Sequence, residues 1–331
     1  MGKSYDVIII GAGPGGLECA RGFADKEMSV LVIEKNDIVG PKTCGGALTN
    51  LTEKFNIPDK ITETFQAIKL EINRDSIDLD LKKPIRTVSR SDLGQYLLNI
   101  LRSSKNIEII TGTEVESVCE GKVFTGKEEF SYKYLVGADG SDSVVRKFLG
   151  LKSEFRTGLL YRIESVRALF RWSVNPQKLG SGYMWMFPNK KGGNAGIYFD
   201  QDRINNSNAL KILDEFIVSS GLKINNSKVQ HGKIQHKYSG VSFGNIFLIG
   251  DAAGLPLKNT GEGIPGALIS GKEIAKKILN RNYDMPELRK YIKLKKRQEK
   301  LLKIFEAVPF LQSFLFKLYA VYKRLQIFCR V

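Results

Sequence analysis

The stretch Tyr5-Asp6-Val7-Ile8-Ile9-Ile10-Gly11-Ala12-Gly13-Pro14-Gly15-Gly16 runs from an apolar segment straight into a glycine loop. A continuous apolar run of this length reads as a strand buried on both faces, as in a parallel sheet. The loop fits G-x-G-x-x-G. In that pattern Gly11 permits the tight turn, Gly13 lets a pyrophosphate approach the backbone, and Gly16 allows close helix-strand packing. A helix is expected to follow as far as about Lys26, and its free N-terminal N–H groups and dipole favour a phosphate. Ser29 to Lys35 reads as the second strand, and Glu34 near its end offers a carboxylate to ribose hydroxyls. Together these features predict a dinucleotide site.

Two later segments narrow the dinucleotide. Gly137-Ala138-Asp139-Gly140-Ser141 and Gly250-Asp251-Ala252-Ala253-Gly254 each follow an apolar strand. The second resembles the flavoprotein signature whose Asp holds a ribityl chain. Either one alone is an ordinary acidic turn; three loops in this order point to FAD. Gly261-Glu262-Gly263-Ile264 opens a further helix, whose N–H groups at Gly263 and Ile264 would stabilise negative charge at the N1/C2=O edge of reduced flavin.

Around these landmarks, Ile107 to Ile110, Val115 to Cys119, Lys122 to Thr125, Glu128 to Tyr132, Tyr134 to Ala138 and Asn245 to Ile249 read as strands. Phe65 to Leu81, Leu159 to Trp172, Tyr183 to Phe199 and Val229 to Tyr238 are rich in alternating and aromatic residues and read as an inserted antiparallel sheet. Three helices are expected after Glu262: Ile264 to Leu279, Pro286 to Ala307 and Phe310 to Phe328, the last two separated by Pro309. The expected organisation is α/β, α+β overall. A Rossmann-like FAD-binding domain takes 1–50, 85–150 and 240–282, an antiparallel substrate domain takes 51–84 and 151–239, and a helical tail takes 283–331.

The 331 residues, 42% hydrophobic and 26% charged, suit a globular chain of two lobes. The net charge of +16 is uneven: from Arg281 onward thirteen Lys or Arg face four Asp or Glu, a balance of +9. With no helix-turn-helix, zinc or RNA-binding motif, nucleic acid is excluded as the partner. The cysteines, Cys19, Cys44, Cys119 and Cys329, have neither disulfide-framework nor metal-ligand spacing, and His231 and His236 make no metal pair, so no metal is expected. Without a secretory signal or an apolar run long enough to span a bilayer, the expected place is the cytoplasm.

Pro41-Lys42-Thr43-Cys44-Gly45-Gly46 and Tyr183-Met184-Trp185-Met186-Phe187-Pro188 carry a family resemblance. The first is similar to the P-x-x-C-G segment, and the second to the Y-x-W-x-F-P motif, of the geranylgeranyl reductases, which include archaeal digeranylgeranylglycerophospholipid reductase. The resemblance covers about residues 5 to 280. It implies the hydroxybenzoate-hydroxylase type of FAD fold and FAD contacts at Gly15, Glu34, Cys44, Gly45, Ala47, Arg90, Val115, Asp251, Gly263 and Ile264. It also implies hydrogenation of C=C bonds in isoprenoid lipids or prenyl diphosphates, by hydride from reduced flavin N5 plus a proton.

An isolated alkene has no carbonyl to take up charge, so an electron-rich wall would help. Tyr183, Trp185 and Phe187 alternate along one strand and should face one way, lining the substrate pocket or forming sheet core, with Met184 and Met186 opposite. Tyr183, Trp185 and Cys44 are the candidate catalytic residues, Cys44 being a proton donor, a redox reporter or a small packed residue. A hydroxylase on the same fold and an electron-transfer flavoprotein to quinone are the alternatives. The electron donor is open among a ferredoxin, a reduced deazaflavin and NAD(P)H.

In the tail, Ile304, Val308, Leu311, Leu315, Leu318, Tyr322 and Leu325 form an apolar stripe widened by Phe314, Val321 and Phe328. The helix before it carries Lys293, Lys295, Lys296, Arg297, Lys300 and Lys303. This combination fits an anionic membrane surface, peripheral on the inner face, or a stripe packed on the body with solvated lysines.

Overall fold

Lys3–Ile10 pairs in parallel with Val30–Ile33 on one side and Glu129–Gly137 on the other. Ile107–Ile110 and Ile246–Leu248 extend these pairings, also in parallel, so five strands form the centre of the first sheet. The antiparallel pair Val115–Cys119 and Lys122–Thr125 joins it through Glu129–Gly137. The structure, a computed structural model, describes residues 3–308 except 74, 127, 164–169, 223, 225 and 226, together with 311, 312 and 314.

Val7, Ile8 and Ile9 are wholly buried, as their unbroken apolar run requires. Helices Pro14–Arg21 and Ile264–Leu279 pack closely on each other because glycines meet there: a Cβ on Gly271 would stand 2.3 Å from the carbonyl oxygen of Gly15. The first helix ends at Arg21, short of the expected Lys26. Gly22 turns against the Ala275 side chain, and Asp25 takes a φ of 59°, which no right-handed helix accommodates. The two strands expected at 128–132 and 134–138 are one, Glu129–Gly137. Lys133 is an outward-facing residue within it, not a turn.

The second sheet has the order Gln230–Gln235, Phe155–Ile163, Gly192–Phe199, Tyr183–Asn189, Arg171–Val174, Thr62–Ile72, Asp75–Val88 and Ala47–Leu48. Every pairing is antiparallel except Arg171–Val174 with Thr62–Ile72. Asp75–Val88 runs through the expected boundary at 84–85. Helix Asn206–Ser219, which the sequence reading omitted, covers one face of this sheet. Its Ala209, Leu213, Phe216 and Ile217 pack on Met184, Met186, Ala195 and Ile197. The spacing of those four residues, and Asn205 capping the helix through Asn208 N–H at 2.9 Å, were signals available in the sequence.

Helix Pro286–Glu306 is fastened to the body. Tyr291 donates its hydroxyl to the Leu255 carbonyl at 3.2 Å, and Glu306 accepts from buried Arg156 at 2.7 Å. Lys295, expected on the basic face, instead points inward with 1% exposure, bonded to the Pro256 carbonyl and to Glu299, each at 2.7 Å. Burial of an ammonium demands such partners. Lys293, Lys296, Arg297, Lys300 and Lys303 do face outward. The expected helix Phe310 to Phe328, including Leu315, Leu318, Val321, Tyr322, Leu325 and Phe328, lies outside the described residues apart from Leu311, Gln312 and Phe314. Among the described residues no helix is long and apolar enough to cross a membrane.

Candidate active site

A cavity of about 910 Å³ lies between the glycine loop and the open face of the antiparallel sheet. Gly11, Gly13, Gly15, Glu34, Cys44, Gly45, Ala47, Arg90, Val115, Asp251, Gly263 and Ile264 all line it, as do Tyr183, Trp185 and Phe187. Gly16 stands apart, facing the Gly11 carbonyl oxygen, which a Cβ would approach to 1.9 Å. Residues more than two hundred positions apart therefore share one chamber.

At its glycine end the wall is backbone. Gly11 has a φ of 101°, and a Cβ there would stand 2.4 Å from the Ala138 carbonyl oxygen, so only glycine fits. Glu34 is held by both oxygens. Oε2 accepts the Ala12 N–H at 2.8 Å and Oε1 the Asn36 side-chain amide at 2.5 Å. Asp251 pairs with Lys42 at 2.9 Å and accepts the Ser141 hydroxyl at 3.2 Å. Its loop is anchored by Arg146, 1% exposed, which donates to the Ala252 and Lys237 carbonyls at 3.0 Å and to Lys152. Burial lowers the Arg146 pKa below its usual value, and those carbonyls are what keep a buried cation tolerable.

At the other end the wall is aromatic. Tyr183, Trp185 and Phe187 share a face, and Met184 and Met186 lie under helix Asn206–Ser219. Ring centroids are 5.8 Å apart for Tyr183 and Trp185 and 5.9 Å for Trp185 and Phe187; Phe170 stacks on Phe187 at 4.1 Å. Cross-strand register sets this wall: Tyr198 stands opposite Tyr183, and Gly196 opposite Trp185. A Cβ on Gly196 would lie 2.2 Å from the indole ring, so the Trp185 rotamer depends on that glycine. Tyr183 donates its hydroxyl to the Thr260 carbonyl, and Tyr198 donates to the Lys258 carbonyl at 2.8 Å. Burial, and then the neighbouring Tyr198, Glu262 and Cys44, push the Tyr183 pKa well above 10, so this phenol stays neutral. The Cys44 sulfur accepts the Gly46 N–H at 3.4 Å.

The residues fit a flavin dinucleotide. A Cβ on Gly13, at the start of helix Pro14–Arg21, would meet nothing within 4 Å, leaving the space beside the helix N-terminus open. Arg90 Nε and Trp185 Nε1, both on cavity residues, are buried without a protein partner. Helix Ile264–Leu279 begins at the cavity with no side chain capping its N–H groups. Tyr198, Trp172, Lys42, Thr49 and Glu262 also line the chamber and had no role in the sequence reading. The Tyr183 to Phe199 hairpin would have paired Tyr198 with Tyr183; Lys42 and Glu262 stand inside quoted motifs that give them no role, and nothing local marks Trp172 or Thr49.

A family model described as pyridine nucleotide-disulphide oxidoreductase matches residues 5–179. A digeranylgeranylglycerophospholipid reductase of Thermoplasma volcanium is 30% identical, the match covering 89% of this chain and 84% of the relative. Digeranylgeranylglycerophospholipid reductase 3 of Methanosphaera stadtmanae is 28% identical over 87% of this chain and 82% of its own. The fold is shared with a geranylgeranyl bacteriochlorophyll reductase-like protein of Thermoplasma acidophilum, with TM-score 0.77, 24% identity, and 94% and 88% of the two chains covered. It is shared too with p-nitrophenol 4-monooxygenase of Pseudomonas putida, with TM-score 0.70, 15% identity, and 93% and 89% covered. The cofactor is FAD. With more than half of the chain matched by the family model and a relative at 30% identity matched over most of it, the chain belongs to the pyridine nucleotide-disulphide oxidoreductase flavoproteins and, among them, to the geranylgeranyl reductase family.

Proposed function

We propose that this FAD-dependent oxidoreductase hydrogenates C=C bonds in the isoprenoid chains of a membrane lipid or a prenyl diphosphate. The observation that carries the reading is the aromatic wall of Tyr183, Trp185 and Phe187 facing the same chamber as the glycine loop. Reduced FAD supplies the hydride. The chain's own part is to hold, shield and polarise. The Gly11 to Gly15 backbone and the helix behind it take the pyrophosphate, Glu34 the adenosine ribose, Asp251 the ribityl chain, and the Gly263 and Ile264 N–H groups the pyrimidine edge. Arg90 offers a fixed cation from the first turn of helix Arg90–Leu101, with its Nε free for the cofactor. Cys44, Gly45, Ala47 and Val115 pack along the same length, and the Cys44 sulfur, turned back onto the Gly46 N–H, fits a packing role.

Tyr183, Trp185 and Phe187 exclude water from the alkene and present π faces to the carbon that gains cationic character. A hydroxylase reading draws on the fold common to the p-nitrophenol monooxygenase. One experiment separates them. The purified flavoprotein is photoreduced without oxygen, geranylgeranyl lipid is added, and flavin reoxidation is followed with mass spectrometry of the lipid. Gain of hydrogen pairs supports the reductase. Oxygen incorporation on admitting air supports the hydroxylase, and reoxidation by quinone alone overturns both. Flavin reduction by a ferredoxin, a reduced deazaflavin or NAD(P)H, compared in the same cell, identifies the donor.

The outward face of helix Pro286–Glu306 supports peripheral docking on an anionic bilayer. Leu301 and Ile304 are 57% and 58% exposed among Arg297, Lys300 and Lys303. Apolar anchors set among cations hold a helix in the interface. Flotation on vesicles containing anionic lipid should be lost when Leu301 and Ile304 are replaced by Ser; unchanged flotation would remove this helix from the proposal.

A further inference from the structure

Hydrogenation needs a proton as well as a hydride, and most acidic groups on the chamber wall are engaged elsewhere. The Tyr183 and Tyr198 hydroxyls donate to the Thr260 and Lys258 carbonyls. Asp251 is bound to Lys42 and Ser141. Glu262 is different. It sits between Gly261 and Gly263, immediately before the helix that begins at the chamber. Its Oε1 lies 2.6 Å from the Thr49 hydroxyl, and Thr49 is itself on the chamber wall. Two tyrosines from the antiparallel sheet pin the segment just before it.

We propose that Glu262 is the proton donor to the alkene carbon that does not receive the hydride, with Thr49 holding the carboxyl in place; this rests on the alkene-reductase reading above. Burial pushes the Glu262 pKa up from 4.5, and the Thr49 hydrogen bonds only partly oppose it. Its charge is felt by Tyr183 from the sheet and Tyr291 from helix Pro286–Glu306; Asp251, beside Gly263, is paired with Lys42, and no cation offsets the burial of Glu262 itself. Burial thus shifts Glu262 toward the protonated form that a general acid requires.

The atoms balance. One alkene carbon gains the hydride and its electron pair. The π pair forms the new C–H bond at the other carbon with the Glu262 proton, and the O–H pair stays on the carboxylate. Solvent then returns a proton, with the Thr49 hydroxyl as the relay.

The test uses the FAD-loaded protein and its Glu262→Gln and Glu262→Asp variants. In the wild-type-minus-Gln infrared difference spectrum at neutral pH, a protonated-carboxyl C=O band that shifts in D2O is expected. Glu262→Gln should keep its FAD, yet its reoxidation by geranylgeranyl lipid should slow by about a hundredfold or more, the range for removal of a general acid. The solvent deuterium isotope effect and the alkaline fall of rate expected of the wild type should be lost in it, and Glu262→Asp should restore part of each. A missing C=O band, or a Gln variant matching the wild type in rate and isotope effect, overturns the assignment alone. A wild type that leaves the lipid unreduced overturns the parent reading and this one with it.

Discussion

The two ends of the chamber are built on opposite principles. Around the glycine loop the wall is main chain, and its shape depends on side chains being absent: at Gly11 and Gly16 an added Cβ would run into a carbonyl oxygen at 2.4 and 1.9 Å. Across the chamber the wall is made of rings, whose positions depend on what stands beside them in the sheet, as Trp185 does on Gly196. A backbone wall leaves little room for variation at its glycines. A ring wall can be reshaped residue by residue while the strands beneath it persist.

That contrast breaks most readily at Gly11. Gly11→Ala combines a strained φ with a carbonyl clash, costing about 3 kcal/mol or more. The expected result is loss of bound flavin and a lower melting temperature, read from the flavin-to-protein absorbance ratio and a thermal melt; a fully loaded variant would mean that the loop is not rigid. Next comes Trp185→Ala, which should retain FAD and lose about ten- to a hundredfold in lipid-driven flavin reoxidation, if cation-π stabilisation is worth about 2 kcal/mol in a dry site. Loss of flavin instead would erase the distinction between the two walls.

Gly196→Ala sharpens the comparison. It leaves Trp185 chemically intact but forces the ring aside, at a stability cost of about 1–3 kcal/mol. Tryptophan emission should shift and lipid reoxidation should weaken less than in Trp185→Ala, with FAD content unchanged; an unaltered emission spectrum would show that the ring does not depend on this glycine.

The smallest effect on flavin and turnover is expected at His236, outside both walls. Burial, with Lys258, Lys295 and Arg156 nearby, lowers its pKa from 6.5 to about 4. The unfolded chain therefore takes up the proton first as pH falls. The stability from a neutral His236 is fully present above about pH 6.5 and is lost on going down through 4. At about 1.4 kcal/mol per unit the loss is at most about 3.5 kcal/mol. His236→Asn should flatten the urea-midpoint profile across that window, and an unchanged slope would assign acid sensitivity to other groups.

Much of the first wall was legible in the sequence because it is local: strand, glycines and helix start are neighbours along the chain, and Glu34 follows one strand later. The ring wall was legible in part, since alternation placed Tyr183, Trp185 and Phe187 together without naming what faces them. Tyr198 and Gly196 enter through cross-strand register, Arg146 through a carbonyl cluster assembled from three separate loops, and Lys42 through a pairing with Asp251 across the cofactor chamber. Glu262 was quoted as part of a motif, but its meaning depends on burial and on Thr49, which no spacing rule reveals. Lys295 reversed its expected role because a basic stripe does not disclose which lysine turns inward.

The two tyrosine hydroxyls bonded to the Lys258 and Thr260 carbonyls tie the loop ahead of Gly263 to the sheet that carries the rings. The ring wall thus serves as the ruler from which the position of that loop is measured. On that measure an exchange at Phe170 is expected to reshape the pocket alone, whereas a change at Tyr183 or Tyr198 moves the reference mark itself and is expected to disturb the loop ahead of Gly263 first.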